Sequence, residues 1–191
     1  MIRKLDSLFI VKPQKKYAFA SGDMSGLISQ CAHVNEVSQH IPYLYNYVGN
    51  PWRTQERVRM IMTSQYDYTP EGYCGNEDTG QMSAWYIFSA MGFYPVNHGQ
   101  GEYIIGSPLF DRVEFDPGLG GKLIVVARNN RDQNIYIQSV KLNGKAYTKN
   151  WFQHNDIFNK GNVTIEFEMG DKPNYKWGVG AANCPSSMSK W

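Results

Sequence analysis

Hydrophobic residues in this chain change their period near residue 100, and that change limits what it can fold into. Before Tyr94-Pro95 they recur every three to four residues, as on one side of a helix; after it they alternate, as on a strand with one buried face. Helices followed by short strands point to an α+β chain, with a helical segment over 1–100 and an antiparallel β-rich segment over 101–191. Ile2, Leu5, Leu8 and Phe9 mark a first helix that stops before Val11-Lys12-Pro13. Residues 14–22 read as a basic loop and 26–30 as the start of a second helix. Residues 41–47 read as a helix with Pro42 in its first turn and a buried aromatic face. Gly49-Asn50-Pro51 breaks the chain, and 52–66 is amphipathic through Val58, Ile61 and Met62. The polar loop 69–80 should lead into a helix over Gln81–Met91, with Gly92 as its C′ residue. Strands are expected at 101–105, 112–116, 122–128, 135–142 and 163–169, punctuated by turns such as Asp116-Pro117-Gly118 and Asn143-Gly144. The polar tail after Gly178 is expected to be loose. The chain opens inside a helical pattern, as a segment downstream of a domain start would.

Charge excludes several functions. The net charge of +2 comes from 19 basic and 17 acidic residues spread along the chain, so there is no electrostatic footprint for nucleic acid. No apolar run approaches the ~20 residues of a membrane span, and the N-terminus lacks the apolar core of a signal peptide. Cys31, Cys74 and Cys184 form no C-x-x-C pair. P-loop, G-x-S-x-G and H-E-x-x-H patterns are absent, which removes the motif support for phosphoryl transfer, serine hydrolysis and zincin chemistry.

Two polar clusters remain. Gly75-Asn76-Glu77-Asp78 places adjacent carboxylates before a helix N-terminus, where exposed amides favour negative charge and can hold a base ionised. The commoner use of Asp and Glu at such a place is helix capping. His33-Val34-Asn35-Glu36-Val37-Ser38-Gln39-His40 offers oxygen ligands better suited to a hard cation such as calcium than to zinc. His33 and His40 could bind a sugar hydroxyl or be ordinary loop or core histidines. The 13 Tyr, 9 Phe and 5 Trp matter here, because aromatic faces pack on pyranose rings. Trp52, Trp85 and Tyr86 are candidate platforms, although the spacing of Trp85, Phe88 and Met91 also suits a buried helix.

The run GNEDTGQMSAWYIFSAMGFYPV, followed by GEYIIGSPLFDRVEF, closely resembles the C-terminal part of glycoside hydrolase family 92 α-mannosidases, many of them α-1,2-mannosidases. VNEVSQHIPYLYNYVGNPWRTQERVRMIM and NIYIQSVKLNGK look like the same family in register. The resemblance implies the last helices of an (α/α)6 barrel followed by a β-rich segment, roughly the final quarter of a member. It implies inverting, calcium-dependent hydrolysis of α-mannosides in mannose-rich glycans. Asp78 matches the general base, with Glu77 beside it and Asn76 where some members carry a second Asp. Asn35 and Glu36 match the metal segment; His33, His40, Asn76 and Trp85 would face substrate. Val34, Val37 and Gln39 depart from the family's HGNEPSHH pattern. No position matches the general acid, so this chain alone is expected to be inactive. The family is typically exported, and an incomplete barrel would expose helix faces and self-associate. A non-catalytic carbohydrate-binding module and a truncated relic are the rival readings.

Overall fold

Three consecutive residues do different work at the end of the helix over Gln81–Met91. Ala90 packs into one core, Met91 into a second, and Gly92 turns the chain with φ 99°. A Cβ on Gly92 would lie 3.2 Å from the Phe167 ring, so the position needs glycine for space as well as for backbone. In this computed structural model, residues 1–12 and 25–187 are described. The loop expected over 14–22 lies outside them.

The helical half comprises α1 (Ile2–Ile10), a 3-10 turn (Ile41–Tyr43) running into α2 (Leu44–Tyr47), α3 (Pro51–Ser64) and α4 (Gln81–Met91). The expected helix at 26–30 is instead a hairpin, β1 (Leu27–Ile28) against β2 (Cys31–Ala32). Gly26 at φ 62° and Ser29 at φ 59° are left-handed, which no helix accommodates. Two sheets follow. One joins β3 (Phe93–Asn97), β4 (Glu102–Ile105) and β9 (Trp151–Gln153) in the order β3-β4-β9. The other contains β5 (Arg112–Phe115), β6 (Leu123–Arg128), β7 (Tyr136–Leu142), β8 (Lys145–Tyr147) and β10 (Val163–Gly170), in the order β5-β6-β10-β7-β8. A short helix, α5 (His154–Ile157), follows β9.

The expectation of an antiparallel segment holds except at β10 and β6, which pair in parallel with Val163 opposite Leu123. Alternation reports which face of a strand is buried and not its direction, and the intervening strands supply the long crossover that a parallel pair requires. The small sheet has two buried faces. Phe93, Ile105 and Phe152 enter a core with Val125, Ile165 and Phe167, while Tyr94 and Ile104 enter another with Tyr43, Val58 and Trp85. Phe93 pairs with Ile105 and Tyr94 with Ile104, so the pleat alone deals neighbours to opposite cores. The change of period near residue 100 therefore falls inside a sheet that both halves share.

Polar bonds complete the junction. Asn46 Nδ2 donates to the carbonyls of Ile105 (2.9 Å) and Asn150 (2.8 Å), and Asn150 Nδ2 donates to Asn46 O (3.2 Å) and Gly178 O (2.7 Å). On α3, Gln55 Oε1 accepts the Ile137 amide at 3.1 Å, and Arg59 donates to Pro108 O and Asn130 Oδ1. The tail is held as well: Asn150 N donates to Asn183 O (2.9 Å), and Ser186 Oγ donates to Glu102 Oε1 (2.7 Å). Those bonds correct the expectation of a loose end over 179–187. Among the described residues, no helix is long and apolar enough to cross a membrane.

Candidate active site

Glu77 and Asp78 are neighbours with different duties. Glu77 Oε1 accepts the Ser83 amide at 3.1 Å and its carbonyl accepts the Met82 amide at 3.3 Å, so this carboxylate caps α4. Among the described residues its Oε2 is buried without a hydrogen-bond partner. The capping role thus falls to Glu77 through Oε1 rather than to Asp78. Asp78 is fully exposed and hydrogen-bonds to Glu36, which the 3-10 turn Glu36–Ser38 presents from the other loop. That hydrogen bond and the repulsion between the charges hold the Asp78 carboxyl above its ordinary range, while the same bond lowers Glu36.

The backbone around Asp78 is strained. Asp78 (φ 47°), Thr79 (φ 63°) and Gly80 (φ 89°) are successive left-handed residues, a conformation that costs a non-glycine residue about 1–2 kcal/mol. Such outliers persist where surrounding structure enforces them, and they gather at functional sites. Asn76 helps to set the turn, its Oδ1 accepting the Asp78 amide at 3.4 Å.

The two loops are fastened at Val34. Gln81 Nε2 donates to Val34 O at 3.0 Å, and a Cβ on Gly75 would lie 2.8 Å from Val34 Cγ2. Val34 is not among the residues of positive φ. Valine in place of the family's glycine therefore adds no backbone strain, and its side chain fills the seam against Gly75.

His33 is fully buried, its Nε2 2.8 Å from the Tyr66 hydroxyl and its ring edge-on to Trp85 at 4.3 Å. Burial pushes its pKa down to about 4, so the ring is neutral. Trp85 is 0% exposed and donates Nε1 to Gln39 O at 3.1 Å. That corrects its assignment as a sugar platform: the indole is core, and its NH fixes the loop over 33–40. Trp52 packs edge-on against Tyr175 at 4.9 Å, and Tyr86 lies tilted on Tyr66 at 4.8 Å. His40 is half-buried, with its pKa lowered by burial. Asn35 is exposed, and its carbonyl accepts the Ser38 amide at 2.8 Å.

A groove of about 620 Å³ runs from Glu36 past Gln81, Ala84 and Phe88 to Tyr103 and His154. No sequence motif announced it. Tyr103 and His154 are 51 residues apart, and they meet through a 3.0 Å bond between the hydroxyl and Nδ1. Gln39 was also missed as a structural centre: it is buried, accepts from Trp85 at its carbonyl and from Tyr94 at Oε1.

An exposed carboxyl with raised basicity, set before a helix and facing a second acidic loop, is equipment found in glycosidases, which place carboxyl groups around the bond they cut. The chain belongs to glycoside hydrolase family 92, matching the Glycosyl hydrolase family 92 catalytic domain over residues 1–171. It is 37% identical over 157 residues to an uncharacterized secreted glycosidase of Arthroderma benhamiae, covering 81% of this chain and 20% of that protein. A family GH92 α-mannosidase from Bacteroides thetaiotaomicron superposes with TM-score 0.90 at 37% identity over 99% of this chain and 24% of its own. Its complex with mannoimidazole superposes at 0.91 with 39% identity, covering 98% and 24%. The family GH92 inverting mannosidase of the same organism gives 0.81 at 38% identity, covering 99% and 26%. The chain thus spans about a fifth to a quarter of the relatives it matches.

Proposed function

We propose that this chain carries the base half of an exported, inverting α-mannosidase acting on α-1,2 and related linkages of mannose-rich glycans. The observation that supports it best is the meeting of Glu36 and Asp78 from two separate loops. In this reading the helices are the last of an (α/α)6 barrel.

Inversion needs an acid and a base about 6.5–9.5 Å apart, so that water fits between them. Hydrogen-bonded carboxyls are too close for that, so Glu36 is not the acid partner of Asp78. Glu36 instead raises the basicity of Asp78, which is the aid a water-activating base needs. The acid comes from outside this chain.

Calcium fits the donors in kind. Glu36 and Asn35 offer hard oxygens. Among the described residues no group of three or more His, Cys, Asp or Glu converges on one metal position. Six to eight oxygens are normally required, so the remainder come from carbonyls, water, sugar or further chain. When bound, the ion would orient sugar hydroxyls and favour a distorted ring. Neutral His33 and the Trp85 indole hold the loop that presents these donors.

Calorimetry with mannoimidazole, with and without calcium, tests this reading. Calcium-dependent binding that disappears in Glu36→Gln and persists in Asp78→Asn is expected. Binding indifferent to calcium and to Glu36→Gln would instead indicate a carbohydrate-binding module.

A further inference from the structure

Trp52 and Tyr175 meet at the seam between the two halves, and the carboxyl site makes no use of either. Trp52 stands in the first turn of α3, and Tyr175, on the segment after β10, is 64% exposed. Their rings lie 4.9 Å apart at 83°, so two aromatic surfaces form a corner. A tyrosine exposed this far contributes little to a core, yet the chain around it is pinned. Asn174 Nδ2 donates to Gln138 O at 2.8 Å, and its Oδ1 accepts the Lys176 and Trp177 amides at 2.9 and 3.2 Å. Trp177 Nε1 then donates to Tyr147 O at 3.1 Å. Folding has therefore already met much of the ordering entropy that binding at Tyr175 would cost.

Polar groups stand beside the corner. Glu56, one turn along α3 from Trp52, accepts from Arg53 Nη1 at 3.1 Å and from the Tyr136 hydroxyl at 2.9 Å. Burial, the bond to Glu56 and the neighbouring Tyr175 phenol push the Tyr136 pKa up to about 12, so Glu56 and Tyr175 both lie close to that hydroxyl. The Arg53 and Glu56 side chains remain 40% and 23% exposed. A partly open carboxylate and guanidinium can each bond a pair of neighbouring hydroxyls through two atoms. Aromatic rings with such groups at their edge complement a pyranose, which carries apolar C–H faces and hydroxyls around its rim. A protein partner is a poorer fit: it needs about 800 Å² on each side, whereas two aromatic side chains supply at most about 300–500 Å².

We propose that the Trp52–Tyr175 corner is a second carbohydrate-binding site, which takes an α-mannoside unit with its ring against the aromatic pair and its hydroxyls toward Glu56 and Arg53. The choice of mannose rests on the function proposed above; the fit to a pyranose does not. The 14 residues of α3 span about 20 Å, and just past its far end Tyr66 bonds His33 in the loop that carries Glu36. A branched glycan held at the corner keeps its other branches near that loop, which raises their effective concentration there. Both halves of this chain build the corner, so this chain binds there by itself.

The test titrates isotope-labelled chain with α-mannobiose and follows amide and indole signals by NMR. The Trp52 indole NH and the amides over 174–177 are expected to shift together at millimolar sugar. Tyr175→Ala should weaken that binding at least fivefold, and Leu119→Asp, at an exposed loop of the large sheet, should leave it unchanged, both with the wild-type melting curve. Glu36→Gln and removal of calcium should leave the same shifts in place. Unchanged affinity in Tyr175→Ala would overturn the proposal. Shifts confined to 33–40 and 75–81 would also overturn it while leaving the proposed function standing. Shifts at the corner with none at those loops, even with mannoimidazole and calcium, would overturn the proposed function and leave the corner as a sugar site. Cellobiose binding as tightly as mannobiose would overturn the assignment to mannosides. A homodimer in sedimentation velocity that Tyr175→Ala dissolves would give the corner to a second copy and sink the proposal.

Discussion

The two halves of the molecule use aromatic residues differently. In the β half, Phe93, Phe152 and Phe167 are fully buried among Ile, Val and Leu in a core closed on itself. In the helical half, Tyr43, Tyr45 and Trp85 are just as buried, but each carries a polar atom that is bonded: Tyr43 to Ser89 at 2.7 Å, Tyr45 to Asp6 at 3.0 Å, Trp85 to Gln39. A phenylalanine core needs only shape, whereas a tyrosine and tryptophan core also ties particular elements together, α1 and α4 through the tyrosines and the 33–40 loop through Trp85. The first stabilises the fold. Within the second, Trp85 also positions the loop that holds Glu36.

The contrast can be broken or sharpened by experiment. Phe167→Ala should cost about 3–5 kcal/mol in urea unfolding, and a loss under 1 kcal/mol would show that the β core is not the stabilising half. The helical core should show a pH signature. His33 stays neutral in the folded protein down to about 4 but takes a proton near 6.5 when unfolded. The unfolded state therefore binds more protons between those values, and stability falls by about 3 kcal/mol as pH drops from 6.5 to 4. Comparing urea titrations of the wild type and His33→Gln at pH 7.5 and 4.5 isolates this share, which the variant should lack. At the junction, Asn46→Leu should cost about 1–3 kcal/mol by removing the buried amide that donates to the Ile105 and Asn150 carbonyls. If the halves unfolded separately in that variant, giving two transitions, the shared sheet would not be what couples them. The smallest effect should be a gain: Thr79→Gly relieves left-handed strain and should stabilise by about 1 kcal/mol. A destabilised Thr79→Gly would show that the turn is not strained.

Some of this was legible in the sequence because it is local. The limits of α4, its closing Gly92 and the exposed loop before it follow from period and turn residues, and the long ordered motifs around Asp78 carry family membership. What eluded sequence reading depends on residues distant in the chain. Nothing near Trp85 says whether the indole faces sugar or core, because that depends on Gln39 and His33 arriving from another loop. Nothing in Gly75-Asn76-Glu77-Asp78 says which carboxylate caps the helix. The hairpin at 27–32 was misread because two apolar residues in a short run do not define a period.

The amino-acid sequence by itself determined the α+β order of elements, the family, and Asp78 as the candidate base. Only the tertiary structure decided that β6 and β10 run parallel, that Glu77 is a cap, and that Glu36 reaches Asp78. A sequence period records how each segment meets water, whereas these three facts concern which segments meet each other.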